Sequence, residues 1–223
     1  MTIRDIYRLT DPFLQDHGYT RKGTVYYQIR DSLAFCILFE PGQGHLYCNY
    51  CIIPLYMPSD SLYLTYGTRM ETYTRYALPP LSRDQSDDAC AAWAESLMEC
   101  LDRQILPFFE EINTPASLLR FLNRGHRRAK RYLFCNREQY HSLRAYTAFL
   151  VGSDRQAKAS IRTALRAASR DATYPETYTF TRCAEMIALN AFLSAPPSER
   201  AQYIQDIVSE TQSNLFVSTP KGE

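Results

Sequence analysis

Strand-forming residues are concentrated between positions 24 and 53. Residues 24–29 are rich in β-branched and aromatic side chains, and residues 33–39 form a nearly unbroken apolar run after the turn formers of residues 30–32. A run that is apolar on both faces is typical of a strand covered on both sides. We therefore expect residues 33–39 to be the central strand of an antiparallel sheet.

Two further segments extend this pattern. Pro41-Gly42-Gln43-Gly44 breaks the apolar run, and residues 46–53 resume it as a third predicted strand. Pro54 and Pro58 oppose a long continuation of that strand, because proline cannot donate a hydrogen bond to the ladder. Residues 61–66, before Gly67, indicate a fourth strand.

Helical spacing dominates both sides of this segment. Residues 2–15 predict an amphipathic helix with Thr2 as its N-cap and Gly18 as its stop. Because Pro12 lies inside the pattern, we expect a kink there or a second short helix.

A second helical pattern begins after a polar, proline-bearing connection. Ser86 or Asp87 is the predicted cap, and we expect Pro107 to end or bend this helix. Its predicted buried stripe consists of Trp93, Leu97, Cys100, Leu101 and Ile105. Thr114-Pro115 opens another predicted helix, which runs through Leu122 and stops near Gly125.

The C-terminal part of the sequence predicts four more helices, over residues 138–151, 154–169, 175–193 and 198–213. The segment AYTAFLVGSDRQAKASIRTALRAA resembles one tetratricopeptide-type helical hairpin that turns at Gly152, with Ala157, Ile161, Ala164 and Leu165 at the interlocking positions. One unit cannot bury its own apolar face, so we expect these helices to pack on their neighbours.

These elements predict an α+β fold: an antiparallel sheet covered by helices, followed by an α-helical hairpin domain. We place the α+β domain at residues 1–125 and the helical domain at residues 126–223.

Three segments resemble a bacterial family known as domain of unknown function 4304. They are PFLQDHGYTRKGTVYYQIRD, LYCNYCII and LPFFEEINTPASLLRFL. The shared features are a leading helix, a Gly-aromatic-basic-basic-Gly segment, a hairpin, and a Pro-Phe pair before a helix that opens at Thr or Ser. The resemblance covers about the first half of the chain and implies this fold and a bacterial source. Some relatives lie in toxin and immunity gene neighbourhoods, but the resemblance transfers no chemistry.

Composition narrows the possible partners. The chain has 223 residues, with 25 basic and 24 acidic side chains, and its net charge of +1 gives no global argument for nucleic acid or an anionic membrane. The first residues of the sequence lack the apolar core of a signal peptide, and no apolar run approaches the length of a membrane span, so we expect a cytoplasmic protein. We interpret the seven cysteines as reduced core residues.

Motifs with catalytic potential have simpler structural interpretations. Cys48 and Cys51 form a C-x-x-C that could be redox-active or, with His45, part of a zinc site, but residues three apart on a strand point to opposite faces. We expect Cys36 near Cys48 across the hairpin. We interpret Glu110-Glu111 as a solvated helix end. We therefore predict no catalytic residues, no metal site and no cofactor.

The densest cationic run carries the best functional hypothesis. Clustered Arg and Lys side chains can bind phosphates or carboxylates, or a partner, and aromatic residues 121, 132 and 134 lie close by in the sequence. The alternative is that these cations pair with acidic residues of the same chain, such as Glu110 and Glu111. We expect the run at the junction of the two halves, and its candidate site residues are Arg124, Arg127, Arg128, Lys130 and Arg131.

Two functions from different classes remain open. The first is a non-enzymatic protein-binding module, immunity-like or regulatory, with a protein partner rather than nucleic acid. The second is an enzyme or small-ligand-binding protein whose site lies between the sheet and the C-terminal helices, where Tyr and Arg side chains could converge.

Overall fold

An antiparallel sheet forms the centre of the molecule. The computed structural model describes residues 3–60, 65–73, 78–82, 84–170 and 176–216. The strands are β1 (Thr20–Lys22), β2 (Val25–Arg30), β3 (Leu33–Gly42), β4 (His45–Pro54), β5 (Gly67–Arg69) and β6 (Leu81–Ser82). They are ordered β1-β2-β3-β4-β5, and β6 also pairs with β4. The prediction that the run 33–39 is central is confirmed, because β3 lies between β2 and β4.

The register of β3 and β4 corrects one sequence expectation. Cys36 pairs with Cys51, whereas Cys48 lies opposite Phe39, so Cys36 is not the neighbour of Cys48. The strands continue through Pro41 and Gly42, and the turn is confined to Gln43-Gly44, both with positive φ. Because the turn consists of residues 43 and 44 alone, the register differs from that of a turn formed by all four residues 41–44. Every cross-strand pair changes with it.

Both faces of the sheet are covered, as the apolarity of β3 requires. Phe35, Ile37 and Phe39 face the large core, whereas Ala34 and Cys36 face a smaller cluster that includes residues of the last helix. That helix, α10 (Pro197–Phe216), brings its final turn to the second face, where Phe216 lies against the ring of Tyr27 with centroids 4.4 Å apart.

Helix α1 (Ile3–Asp16) is a single helix that contains Pro12, so no second helix begins there, and a kink at Pro12 stays a prediction. Gly18 ends it in a left-handed conformation, as predicted, and Tyr19 N–H donates to Leu14 O at 3.0 Å. This closes the helix with the hydrogen bond typical of a glycine C-cap. The predicted cap at Thr2 lies outside the described residues.

The predicted strand over residues 61–66 falls mainly outside the described residues, since 61–64 are not among them. Residues 65 and 66 form a turn, and strand β5 begins at Gly67. A short helix, α2 (Met70–Tyr73), follows β5, within the segment that the sequence indicated as a polar connection.

The next helix forms as predicted but does not end at Pro107. Helix α3 (Asp87–Cys100) is capped by Ser86, whose hydroxyl accepts from Ala89 N–H. One π-helical turn, Leu101–Ile105, then leads directly into α4 (Leu106–Glu111). Leu106 N–H bonds to Leu101 O, five residues back, and this wider turn accommodates a proline without ending the helix. The predicted stripe is buried, and Trp93 approaches Phe39 of the sheet with ring centroids 6.3 Å apart.

The remaining predicted helices are confirmed within a few residues at each end, and one further helix, α6 (His126–Leu133), forms where the sequence predicted none. In chain order, the helices after α4 are α5 (Pro115–Leu122), α6, α7 (Arg137–Leu150), α8 (Asp154–Ala168), α9 (Glu176–Phe192) and α10. Thr114 caps α5 in a capping box with Ser117, and Asn136 caps α7 in the same way with Gln139. The fold is therefore α+β with a helical C-terminal region.

Buried tyrosines join the sheet to the C-terminal helices. Tyr50 of β4 donates to the backbone oxygen of Tyr132 at 2.9 Å, and Tyr66 donates to the backbone oxygen of Gln139 at 3.2 Å. One apolar cluster continues from the sheet into α7, α8 and α9. The division of the chain at residue 125 stays a prediction.

Candidate binding surface

The predicted cationic run lies at the junction of sheet and helices. Helix α6 packs against α5, α7 and strand β5, and it begins at Gly125, whose φ of 102° is in the region that favours glycine. Buried Ala129 and Leu133 anchor the helix, while the cations point outward. The exposed members are Arg120, Arg124, Arg127, Arg128, Lys130 and Arg131.

Pairing within the chain explains one of these cations. Arg124 forms an ion pair with Glu111, and the neighbouring Glu110 pairs with Arg30 of β2. Such exposed pairs contribute about 0–1 kcal/mol each. In the described part of the chain, Arg127, Arg128 and Arg131 pair with no carboxylate, so internal pairing does not account for them.

Two aromatic side chains are exposed beside these cations. Tyr132 is 39% exposed and stacks on Phe108 with centroids 4.8 Å apart, while Phe134 is 52% exposed. Phe134 has a left-handed backbone, φ 47°, at the end of α6, a position where glycine or asparagine is usual. Phe121, the third aromatic residue in the predicted set, is buried, so two of the three aromatic side chains are on the surface.

A second cationic feature lies on α8 and was missed in the sequence. Its five residues recur at intervals of three, four, four and four, which places four of them on one side of α8 and the fifth in the turn that follows the helix. All are exposed, and none forms an ion pair within the described residues. We call them the α8 stripe: Arg155, Lys158, Arg162, Arg166 and Arg170.

The stripe ends in a groove between α7 and α8. This cavity of about 440 Å³ is lined by Arg137, Glu138, Thr163, Arg166, Ala167 and Arg170. Glu138 is the carboxylate in the lining; it is buried and accepts a hydrogen bond from Ser142 at 2.7 Å. Three guanidinium groups therefore border the groove, and the carboxylate of Glu138 is hydrogen-bonded to a serine of its own helix.

Arg144 lies about two turns after Arg137 on α7, outside the lining of the groove. Its guanidinium donates to Asn123 Oδ1 at 3.0 Å, Ser160 Oγ at 2.8 Å and Gln156 Oε1 at 3.4 Å. All three acceptors are neutral, so its position is fixed while its charge is not balanced by them. This arrangement leaves a positive field at the surface between α7 and α8.

His141 lies close enough to Arg137 and Arg144 for their charges to affect its pKa. The pKa of His141 is lowered to about 4, chiefly by burial and further by the charges of Arg137 and Arg144. Its ring lies 4.9 Å from that of Tyr140, whose hydroxyl donates to Leu122 O. His141 is therefore neutral at pH 7, because burial disfavours its charged form and the neighbouring arginines oppose a further positive charge.

A count of charges along the sequence would have revealed this surface. Residues 120–170 contain 13 of the 25 Lys and Arg residues but only 2 of the 24 Asp and Glu residues, a net charge of +11. The rest of the chain has a net charge of −10, so the total of +1 conceals a strong separation.

The cysteines occupy the positions that strand geometry predicts. Cys48 faces the large core and Cys51 the small cluster, on opposite sides of β4. A hydrogen bond with Cys51 and burial raise the pKa of Cys36, and burial raises the pKa of Cys48. Across the described residues, no group of three His, Cys, Asp or Glu side chains is arranged to hold a metal ion.

In the described ranges, no helix is both long enough and apolar enough to cross a membrane. No protein-family model, no curated protein and no solved structure matches this chain.

Proposed function

We propose that this protein is a protein-binding module, of the immunity-like or regulatory kind, whose partner packs against α9. The supporting observation is an apolar face of α9 that is open to solvent. Phe180 is 76% exposed and Ile187 is 61% exposed, seven residues further along the same face. Exposed alanines complete this face: Ala184, Ala188 and Ala191.

Helix α9 is apolar on its other side as well. Met186 and Leu189 are buried in the core, so α9 has one apolar face inside the fold and another outside it. Covering Phe180 and Ile187 would contribute roughly 1.5–3 kcal/mol per side chain, enough to make this face the centre of an interface.

Affinity purification from the native host tests this proposal. The variant Phe180→Glu/Ile187→Glu places two charges on the exposed face of α9. Its matched control, Gln202→Glu/Ser209→Glu, adds the same two charges at the same spacing on exposed positions of α10. We expect the wild type and the control to recover the same protein in stoichiometric amount, and the α9 variant to recover none.

Two results would contradict the proposal: repeated recovery of the chain alone at native expression, or an α9 variant that retains the partner. Sedimentation of the purified chain then distinguishes a second copy from a different protein. If α9 forms a homodimer, the wild type sediments as a dimer and the α9 variant as a monomer.

A groove between α7 and α10 favours the second candidate, a small-ligand site. Its volume is about 510 Å³, within the range of ligand pockets, and it reaches the hairpin turn at Ser32. Apolar Phe149 and Ile204 line it, and Arg200 pairs with Asp154 at its edge. By contrast, the cavity near Tyr66 and Arg182 has about 30 Å³, room for about one water molecule.

Filling the α7–α10 groove separates this second candidate from the first. The variant Ala201→Trp places an indole at the groove, where Ala201 is exposed. If the protein acts through a small ligand, the variant loses that activity in the native host while partner recovery through α9 persists. Full activity in Ala201→Trp would count against the groove.

A further inference from the structure

We infer that the α8 stripe and the groove at its end bind the phosphate backbone of a nucleic-acid strand. This inference is independent of the partner site on α9. It rests on the position of five exposed cations along one helix, the absence of carboxylates paired with them in the described residues, and the arginines that meet in the groove.

The length of the stripe suits a chain of phosphates. From Arg155 to Arg170 the helical rise covers about 22 Å. Each strand of a duplex carries a phosphate about every 3.4 Å along the axis, so roughly six phosphates of one strand span the same length. A row of cations on one helix face can thus contact several phosphates of a single strand.

The groove adds a fixed contact at one end of the row. Arg137 on α7 faces Arg166 and Arg170 across an opening wide enough for a phosphate group. Arginine presents a planar fork of donors that matches two phosphate oxygens, and four of the five stripe residues are arginine. Arg144 lies outside the groove lining, but its guanidinium donates only to neutral oxygens and so adds positive charge between α7 and α8.

The chemistry of the stripe favours nucleic acid over a membrane or an acidic protein. The apolar residues of α8, including Ala157, Ile161 and Ala164, are buried in the core, and the described surface of α8 exposes no large apolar side chain. A helix that lies on a membrane needs an apolar face to insert, and protein interfaces usually have aromatic or aliphatic anchors. A polar, cationic face without such anchors suits contacts with phosphates.

Fluorescence anisotropy of the full chain with a labelled single-stranded RNA of 20 nucleotides, and with the matching duplex, tests this inference. Titrations between 50 and 300 mM NaCl give the dependence of affinity on salt. With four or five phosphate contacts, the slope of log K against log[NaCl] should be about −3 for the single strand and about −4 for the duplex.

The variant Arg162→Gln/Arg166→Gln/Arg170→Gln removes three contacts and should reduce the size of that slope by roughly two to three. Its control, Arg4→Gln/Arg8→Gln/Arg103→Gln, removes the same charge from exposed positions on α1 and on the π-helical turn after α3. The control should bind RNA like the wild type, which separates a local contact from an effect of net charge. Circular dichroism confirms that both variants fold.

Several results would overturn the inference. They are no RNA or duplex binding at 50 mM NaCl, equal losses in the stripe variant and its control, or stripe-dependent binding of phosphatidylserine vesicles or of a polyglutamate peptide in place of nucleic acid. Stripe-dependent binding of inorganic pyrophosphate without RNA binding would assign the groove to a small phosphate ligand. Phe180→Glu/Ile187→Glu should bind RNA normally, so a failure of the α9 proposal leaves this test unaffected.

Discussion

The hydroxyl groups of Tyr56 and Thr147 form a hydrogen bond of 2.9 Å, although the two residues are 91 positions apart in the sequence. Both side chains are fully buried, one in the turn after β4 and the other on α7. Thr147 donates its own proton to Leu143 O at 2.7 Å, so Tyr56 is the donor in this pair. The sheet and the helical region are thus fixed to each other by a directional contact inside the core.

Removing the Tyr56 hydroxyl should destabilise the fold modestly. In Tyr56→Phe the ring remains packed and Thr147 keeps its bond to Leu143, so the loss is one buried hydrogen bond, about 1 kcal/mol. For a chain of this size we expect the Tm to fall by about 2–4 °C in a thermal melt. Tyr132→Phe, at a partly exposed position, is the control and should melt like the wild type; equal losses in both variants would contradict this assignment.

Gly67 should be irreplaceable at the start of β5. A Cβ at this position would lie 1.9 Å from Tyr50 O and 2.5 Å from Cys51 Cα, and backbone atoms of the neighbouring strand cannot move aside independently. We expect Gly67→Ala to cost about 3 kcal/mol or more, or to prevent folding. Gly42→Ala is the control, since its new Cβ would approach nothing closer than Tyr47 at 3.7 Å. Urea denaturation measures both, and a Gly67→Ala protein of normal stability would refute the close approach.

His141 should make stability depend on pH in mildly acidic solution. Its pKa in the fold, about 4, lies below its usual value of 6.5, so the unfolded chain takes up the proton more readily. The stabilising contribution is complete above pH 6.5 and is lost as the pH falls from 6.5 towards 4. Because solvent reaches part of the ring, we expect a loss on the order of 1 kcal/mol between pH 7 and pH 5.

Urea midpoints measured at several pH values test this contribution. His141→Gln should flatten the profile over this range, whereas His17→Gln, at an exposed position at the end of α1, should keep it. If His141→Gln leaves the profile unchanged, groups other than His141 cause the loss of stability at acidic pH.

Thiol chemistry should distinguish one cysteine from the other six. Cys183 is partly exposed and the others are buried. Burial also raises the pKa of Cys135 to about 12, which keeps its thiol protonated and unreactive. We expect Ellman's reagent to modify one thiol quickly in the native protein and all seven in denaturant. Cys183→Ser should abolish the fast phase, and two or more fast thiols in the wild type would contradict the buried positions.

The exposed arginines of α6 should contribute little to stability. Arg127, Arg128 and Arg131 form no ion pair in the described residues, so changing all three to Gln should alter the free energy of unfolding by less than about 1 kcal/mol in total. Arg124→Gln, which breaks the pair with Glu111, should cost about 0–1 kcal/mol by itself. A large loss in the triple variant would show that these arginines support the fold after all, and denaturant titration measures it.

Local signals explain how much of the fold could be predicted. The caps at Ser86 and Thr114 and the stop at Gly18 each depend on one or two neighbouring residues, and each forms as expected. The two-faced apolarity of residues 33–39 also specifies burial on both sides. In these segments the local preference agrees with the final packing.

Features that depend on distant partners could not be predicted in this way. Strands β1, β5 and β6 are two or three residues long, and they exist because a neighbouring strand provides hydrogen bonds. The partner of Cys36 depended on which two residues of a four-residue turn motif make the turn. The helix continues past Pro107 because packing on both sides holds it together through the π-helical turn.

Only one of the two cationic features of the candidate surface could be predicted from the sequence, for a related reason. The run near Arg127 is contiguous in the sequence, whereas the cations of α8 are separated by the small residues that interlock in the core, such as Ala157 and Ala164. The buried face of α8 carries the repeat-like pattern of small residues, and its exposed cations do not form a contiguous run. The opening with Arg137 appears only when α7 and α8 lie side by side.

The charge separation along the chain gives the molecule a permanent electric dipole. Near pH 7.6 the net charge of the protein is zero. Residues 120–170, which include Arg162 and Arg166, are still strongly cationic there, and the rest of the chain is acidic. It should therefore adsorb to both cation and anion exchangers at low ionic strength, each time in a different orientation. Dissolved at high concentration, such molecules attract one another head to tail, and added salt disperses them.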